Sequence, residues 1–271
     1  VRDELGREIH LKTFPARRVV SLAASTTELL FALGAGDSVV GVDLYSDYPE
    51  AARAVPRVGN ELNPSVEKIV ALHPDVVLTE TTANEQGTAE QLQRLGIPVF
   101  VSRVQSLADL DTSIRDVGML VGRETRAVLL VQALHSRFDE IRQRAAGLPR
   151  VPTLLVVWSD PLFVVGKKTF TSELIALAGG ESISDDAGEG FPKYSLERVL
   201  RHSPDVIIVG SHKNDGKGPD PIGYWKRWPD LPAVKGDRVV GVDGDLLFRP
   251  GPRLADGAAR LFEVIHAAKP R

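Results

Sequence analysis

The chain has 271 residues, 43% hydrophobic and 25% charged, enough for one sizeable core or two smaller ones. Its 33 basic and 36 acidic residues give a formal net charge of −3 with no basic block, which argues against a charge-driven nucleic-acid binder. Cysteine is absent, so disulfides, thiolate catalysis and cysteine-ligated zinc or iron–sulfur sites are excluded together.

Short β-branched runs alternate with helical patterns, which predicts α/β layering with largely parallel strands. The opening stretch, Val1 to Phe14, is charged and holds no signal-peptide core. Arg18 to Leu22 reads as a first strand. Ser25-Thr26-Thr27-Glu28 has capping-box spacing, and Leu29, Leu30 and Leu33 follow at helical intervals up to Gly34 and Gly36. Ser38 to Asp43, Asp75 to Thr79 and Pro98 to Ser102 read as strands, with a helix from Gln86 to Leu95 before the last of them. From Gly122 to Gly147 no Gly or Pro interrupts a helical pattern. At 1.5 Å per residue such a helix would be about 35–40 Å long, enough to run along a small domain and join two lobes. Beyond Pro149 and Pro152 the alternation resumes, with strands at Thr153 to Trp158, Asp205 to Val209 and Arg238 to Asp243. Helices are expected at Phe170 to Ala178, Ser195 to His202 and Pro252 to Ala268. No run of about 18 apolar residues exists, so no stretch reads as a membrane-spanning helix.

An internal echo carries the most information. The segment from Ser65 to Leu78 matches that from Ser195 to Ile208 without a gap, at an offset of 130 residues. Ser65, Glu67, Pro74, Asp75 and Val76 recur as Ser195, Glu197, Pro204, Asp205 and Val206. Repeated helix–loop–strand units at that offset predict two related lobes. A second echo, Val39 to Asp43 against Val239 to Asp243, falls out of order with the first and reads as two buried strands of similar composition.

Motifs for chemistry are missing. There is no Gly-x-Ser-x-Gly elbow, and Gly166-Lys167-Lys168-Thr169 lacks the upstream glycine and the Lys-Ser/Thr pair of a phosphate loop. Gly34-Ala35-Gly36 follows a helix where a dinucleotide fingerprint follows a strand. None of the six histidines forms an i, i+4 pair, and neither Asp243-Gly244-Asp245 nor Asp185-Asp186 has EF-hand spacing. Scattered acids leave a paired-carboxylate hydrolase open. What remains is a set of aromatic and polar residues just beyond strand ends, where open α/β sheets bind ligands. They are Tyr45, Tyr48, Asn60, Glu61 and Glu80 in the first half, and Trp158, Phe163, Phe191, Tyr194 and the loop from Asp245 through Phe248 to Arg249 in the second. Aromatic faces suit a flat, rigid ligand, although such residues also serve as ordinary core.

A family resemblance covers nearly the whole chain from about Arg17. It is carried by Val19 to Leu22 with Ser25 to Glu28, Gly41-Val42 with Ser46-Asp47-Tyr48-Pro49, Glu67 to Asp75, Gly166 to Gly180, and Arg249 to Arg253. Together these residues resemble the class III (cluster A) substrate-binding proteins of iron-complex and cobalamin ABC importers, most of all the vitamin B12-binding members. The resemblance implies two Rossmann-like α/β lobes, 1–121 and 148–271, joined by one rigid helix over 122–147 with a ligand cleft between them. It implies a monomer without catalytic residues, cofactor or metal of its own, periplasmic or held outside the cytoplasm by a lipid anchor. It further implies that Glu67 and Glu197 dock onto a permease dimer, positions that the echo finds independently. Acids in a first helical turn are also favoured by the helix dipole alone. The implied ligand is a corrinoid, with Tyr48, Phe163, Phe191 and Phe248 packing on it and Glu80 and Asp245 accepting hydrogen bonds from its amides. Glu61 and Glu80 stand where similar B12-binding proteins are expected to carry tryptophans. That departure keeps haem open, with Tyr45, Tyr48, Tyr224 or His212 as axial ligand, and also a ferric siderophore met by Arg249 and Arg253. An enzyme that modifies a corrinoid or metal chelate on the same scaffold is the alternative of a different class.

Overall fold

A computed structural model describes residues 2–60, 62–81, 85–211 and 220–267. The chain divides into two compact units, Val1–Leu134 and His135–Arg271, and the division falls inside one helix.

The first unit runs β1 (Val19–Ser21), α1 (Ala24–Ala32), β2 (Val39–Val42), α2 (Val66–Ala71), β3 (Val76–Glu80), α3 (Glu85–Arg94), β4 (Val99–Ser102) and α4 (Leu107–Leu120). Its four strands are all parallel, in the order β2-β1-β3-β4. The valine runs are buried because helices cover the sheet. Val20, Val77, Val99 and Val101 form one cluster with Ile69 of α2 and Ala89 and Leu92 of α3. Helix α4 has no counterpart among the sequence expectations. Its signal is a capping box whose third helical residue is aspartate: the Ser106 hydroxyl accepts from Asp109 N at 3.1 Å, and Asp109 accepts from Ser106 N at 2.9 Å.

Helix α5 (Glu124–Ala145) connects the two units. It has 22 residues, two fewer at each end than the glycine-to-glycine stretch suggests, and is about 33 Å long.

The second unit runs β5 (Val151–Ser159), β6 (Leu162–Val164), α6 (Phe170–Leu177), β7 (Gly180–Ser182), α7 (Leu196–His202), β8 (Val206–Ser211), α8 (Pro232–Lys235), β9 (Val239–Asp243), α9 (Asp245–Phe248) and α10 (Leu254–Ile265). Its main strand order is β6-β5-β8-β9, with β7 also paired to β5. All pairs are parallel except β5–β6, an antiparallel hairpin. Leu154, Val156, Ile207 and Val209 cluster with Val199 of α7, Trp225 and Ala233.

The echo is a physical repeat. Strands β3 and β8, which end the two copies, each pair with the first strand of their unit, through Val19↔Val76 and Thr153↔Val206. In both copies the serine caps the helix, Ser65 accepting from Lys68 N and Ser195 from Arg198 N, each at 3.3 Å. Each helix buries one residue, Ile69 or Val199. His73 and Ser203 then take left-handed conformations, φ 45° and 48°, before the Pro-Asp that leads into the strand. The second echo is not a repeat of this kind: β2 and β9 occupy different places in their sheets, and only Val242 of β9 is buried.

Candidate functional site

In the first unit the strand-end loop after β2 is held by a chain of hydroxyls. Ser21 Oγ lies 2.6 Å from Thr26 Oγ1, Thr27 Oγ1 donates to Ser21 at 2.8 Å and lies 2.7 Å from Ser46 Oγ, and Ser46 bonds Asp43. Asp43 also accepts from Tyr45 N at 3.0 Å, and Arg57 donates to the carbonyls of Asp43 and Ser46 at 2.9 and 2.7 Å. These buried groups satisfy one another, which fixes the backbone from Asp43 to Ser46. The loop presents Tyr45 and Tyr48 to solvent, 53% and 47% exposed. A backbone already held at Tyr45 has little further freedom of its own to lose when a ligand covers that ring.

This network corrects the capping-box expectation. Ser25 is not the N-cap: α1 begins at Ala24, its N-cap is Ala23, and no side chain caps it. Ser25 bonds the Glu80 carboxylate from within the helix, while Thr26 and Thr27 turn their hydroxyls into the network. Glu80, at the end of β3, is therefore already tied to a hydroxyl. Glu61 and His212 lie outside the described residues.

In the second unit Trp158 is 52% exposed, so it is not core, and its indole N–H donates to Asp160 O at 2.8 Å. It stands opposite Phe163, which is half-buried in the β5–β6 hairpin. Phe191 is 44% exposed and meets Phe248 edge-to-face, with ring centroids 6.1 Å apart. Phe248 closes α9, where a turn was expected, and its ring lies over Gly210 of β8, where a Cβ would come within 2.6 Å of Cζ. Asp245 is buried and paired with Arg249 at 3.0 Å, so a ligand would meet a compensated pair there. Arg253 is the N-cap residue of α10.

Two of the aromatic candidates pack with the core of the second unit, Tyr194 within it and Tyr224 partly buried against it. Tyr194 is buried, its hydroxyl lies within hydrogen-bond reach of Asp186 Oδ1 at 2.9 Å and Ile183 O at 3.0 Å, and it is pushed well above the usual tyrosine range, first by burial and then by Asp186. Tyr224 is held between Trp225, Trp228 and the Arg227 guanidinium, which leaves it poorly placed as an axial ligand. Among the described residues no three His, Cys, Asp or Glu side chains converge as a metal site. A polar depression in the first unit, lined by Asp3, Glu4, Arg103, Asp109 and Asp116, offers no aromatic face to a macrocycle. Three of its four acids are already engaged: Asp3 pairs with Arg7, Asp109 caps α4, and Glu4 accepts from Arg103 N.

Glu67 and Glu197 are exposed in the first turns of α2 and α7. Glu197 pairs with Arg201 at 3.1 Å, whereas the residue four after Glu67 is Ala71. No helix among the described residues is long and apolar enough to cross a membrane.

Known proteins fit this geometry. A substrate-binding lipoprotein of an ABC transporter from Bacillus subtilis (strain 168), itself uncharacterized, is 32% identical over 273 residues, covering 98% of this chain and 85% of its own. The crystal structure of the periplasmic vitamin B12-binding protein of Vibrio cholerae superposes with a TM-score of 0.81 at 28% identity, covering 96% of this chain and all of that one. The periplasmic heme-binding protein of Roseiflexus sp. RS-1 gives the same TM-score and identity over 93% of this chain and all of its own. The pattern of the periplasmic binding protein family matches residues 19–246. With that match and two α/β units of parallel sheet joined by α5, the chain belongs to the periplasmic binding protein family, among the substrate-binding proteins of ABC importers.

Proposed function

We propose that the chain is a monomer that captures a corrinoid outside the cytoplasm and hands it, chemically unchanged, to an importer's permease. The observation that carries this reading is the set of exposed aromatics at strand ends of both units: Tyr45 and Tyr48 on their pinned loop, Trp158 on its hairpin, and Phe191 against Phe248. Such faces contribute contact area to a flat ring system at small entropic cost. The Glu80 carboxylate would accept from peripheral amides, and Arg249 with Asp245 would orient a polar substituent. Glu67 and Glu197 would dock the permease.

Haem is the second reading, favoured by the likeness to the Roseiflexus protein and by the exposure of Tyr45 and Tyr48. The carboxylate of Glu80 tells against it, since haem propionates would meet like charge. Absorbance titrations with cyanocobalamin, haemin and a ferric siderophore separate the readings. The corrinoid reading expects saturation at one cyanocobalamin per chain, with the ligand recovered unaltered. Tighter binding of haemin, with a tyrosinate charge-transfer band, would replace it by the second reading. Conversion of any ligand would make the protein an enzyme.

A further inference from the structure

The repeated helices share a feature that the docking acids do not explain. Val70 and Leu200 occupy the same place in the two copies, three residues beyond Glu67 and Glu197, and both are exposed, at 37% and 43%. The neighbouring Ile69 and Val199 are the residues each helix buries in its core, so Val70 and Leu200 are not its core anchors. Residues three apart lie on one helical face, so each copy presents a carboxylate beside an aliphatic side chain. A single exposed leucine means nothing. An aliphatic residue kept at the same exposed position of both copies, beside the same acid, is a repeated surface.

We propose that Val70 and Leu200 are apolar anchors of the docking interface, each entering a recess beside a basic group on a partner that presents the same surface twice. The proposal rests on the reading that Glu67 and Glu197 dock the permease. Charge complementarity selects that occupant, and it also shows why charge is insufficient. Each acid has a basic neighbour on its own helix, Lys68 or Arg198, and Glu197 is paired with Arg201. Exposed ion pairs of this kind contribute little, whereas a desolvated aliphatic contact at the centre of a patch is what slows dissociation.

The test measures binding of the full chain to its importer's purified permease in phosphatidylethanolamine–phosphatidylglycerol nanodiscs, at low and high NaCl. Val70→Ser with Leu200→Ser should weaken binding by about five- to tenfold per site at both salt concentrations. Its salt dependence and melting temperature should stay as in the parent chain. Val70→Ile with Leu200→Ile should bind as the parent does, and Glu67→Gln with Glu197→Gln should flatten the salt dependence. If the serine variant binds normally while the glutamine variant is weakened, the apolar anchors are wrong and the docking acids stand. If the glutamine variant also binds normally, the docking reading fails and takes this proposal with it. An isoleucine variant as weak as the serine variant would equally overturn it.

Discussion

Gly210→Ala tests whether the second unit's aromatic wall is as tightly wedged as its contacts imply. A Cβ at Gly210 would sit within 2.6 Å of Phe248 Cζ and closer still to Cε2. The ring cannot retreat freely, because α9 is fixed from behind. Thr171 donates to Leu247 O at 2.9 Å, and the Leu246 carbonyl fills the space where a side chain at Gly257 of α10 would stand. Overpacking of this kind costs about 1–3 kcal/mol, and at about 2 kcal/mol the melting temperature should fall by about 4–8 °C. Displacing Phe248 also breaks its edge-to-face contact with Phe191, so ligand affinity should drop with stability. A double-mutant cycle with Phe248→Ala, followed by thermal unfolding and ligand titration, reads the coupling. In the Phe248→Ala background the added methyl should cost almost nothing. An equal loss in both backgrounds, or no loss in either, would refute the wedge.

Three further outcomes follow from the same contacts. Ser46→Ala leaves Thr27 and Asp43 without their shared hydroxyl, and should cost about 1–3 kcal/mol in denaturant unfolding while weakening ligand binding through the Tyr45–Tyr48 loop; unchanged affinity would detach that loop from the site. Burial raises the Glu4 carboxyl above its ordinary range despite the Arg103 N–H, so the folded chain binds this proton more readily than the unfolded one. The Glu4 contribution to stability should therefore fall as pH rises from the usual glutamate range through the raised value. Measured between pH 4 and 7, Glu4→Gln should gain on the parent chain as pH rises, and a constant difference would contradict this. Arg201→Ala releases Glu197 and should strengthen permease binding by about twofold at low salt, an effect absent at high salt.

The sequence makes the layering legible because the Val-rich strands and their Pro-Asp entries have a short-range cause. β3 and β8 start one residue after Asp75 and Asp205, as the echo requires. Helix α4 escapes because its capping box uses Asp109, and its buried face mixes Ser113 and Gly118 with Leu110, Ile114 and Val117. Ser25-Thr26-Thr27 misleads for a related reason. Hydroxyls that can cap a helix can also bond across to Ser46 and Glu80, and only the tertiary fold decides between them. Tyr194 and Trp158 show the same limit for aromatics. Spacing treats them alike, yet Tyr194 packs in the core cluster with its hydroxyl bonded to Asp186, and Trp158 stands in solvent. The exposed acids and aliphatics of α2 and α7 were within reach of the echo, since exposure follows from helical position once Ile69 and Val199 are taken as the buried pair.

Hydrogen exchange with and without cyanocobalamin tests most directly the proposal that the exposed strand-end aromatics contact a corrinoid. The account predicts slowed exchange in the segments around Tyr45–Tyr48, Trp158–Phe163 and Asp245–Arg249, at one ligand per chain. Protection confined to a single unit, or absent at saturating ligand, would contradict it.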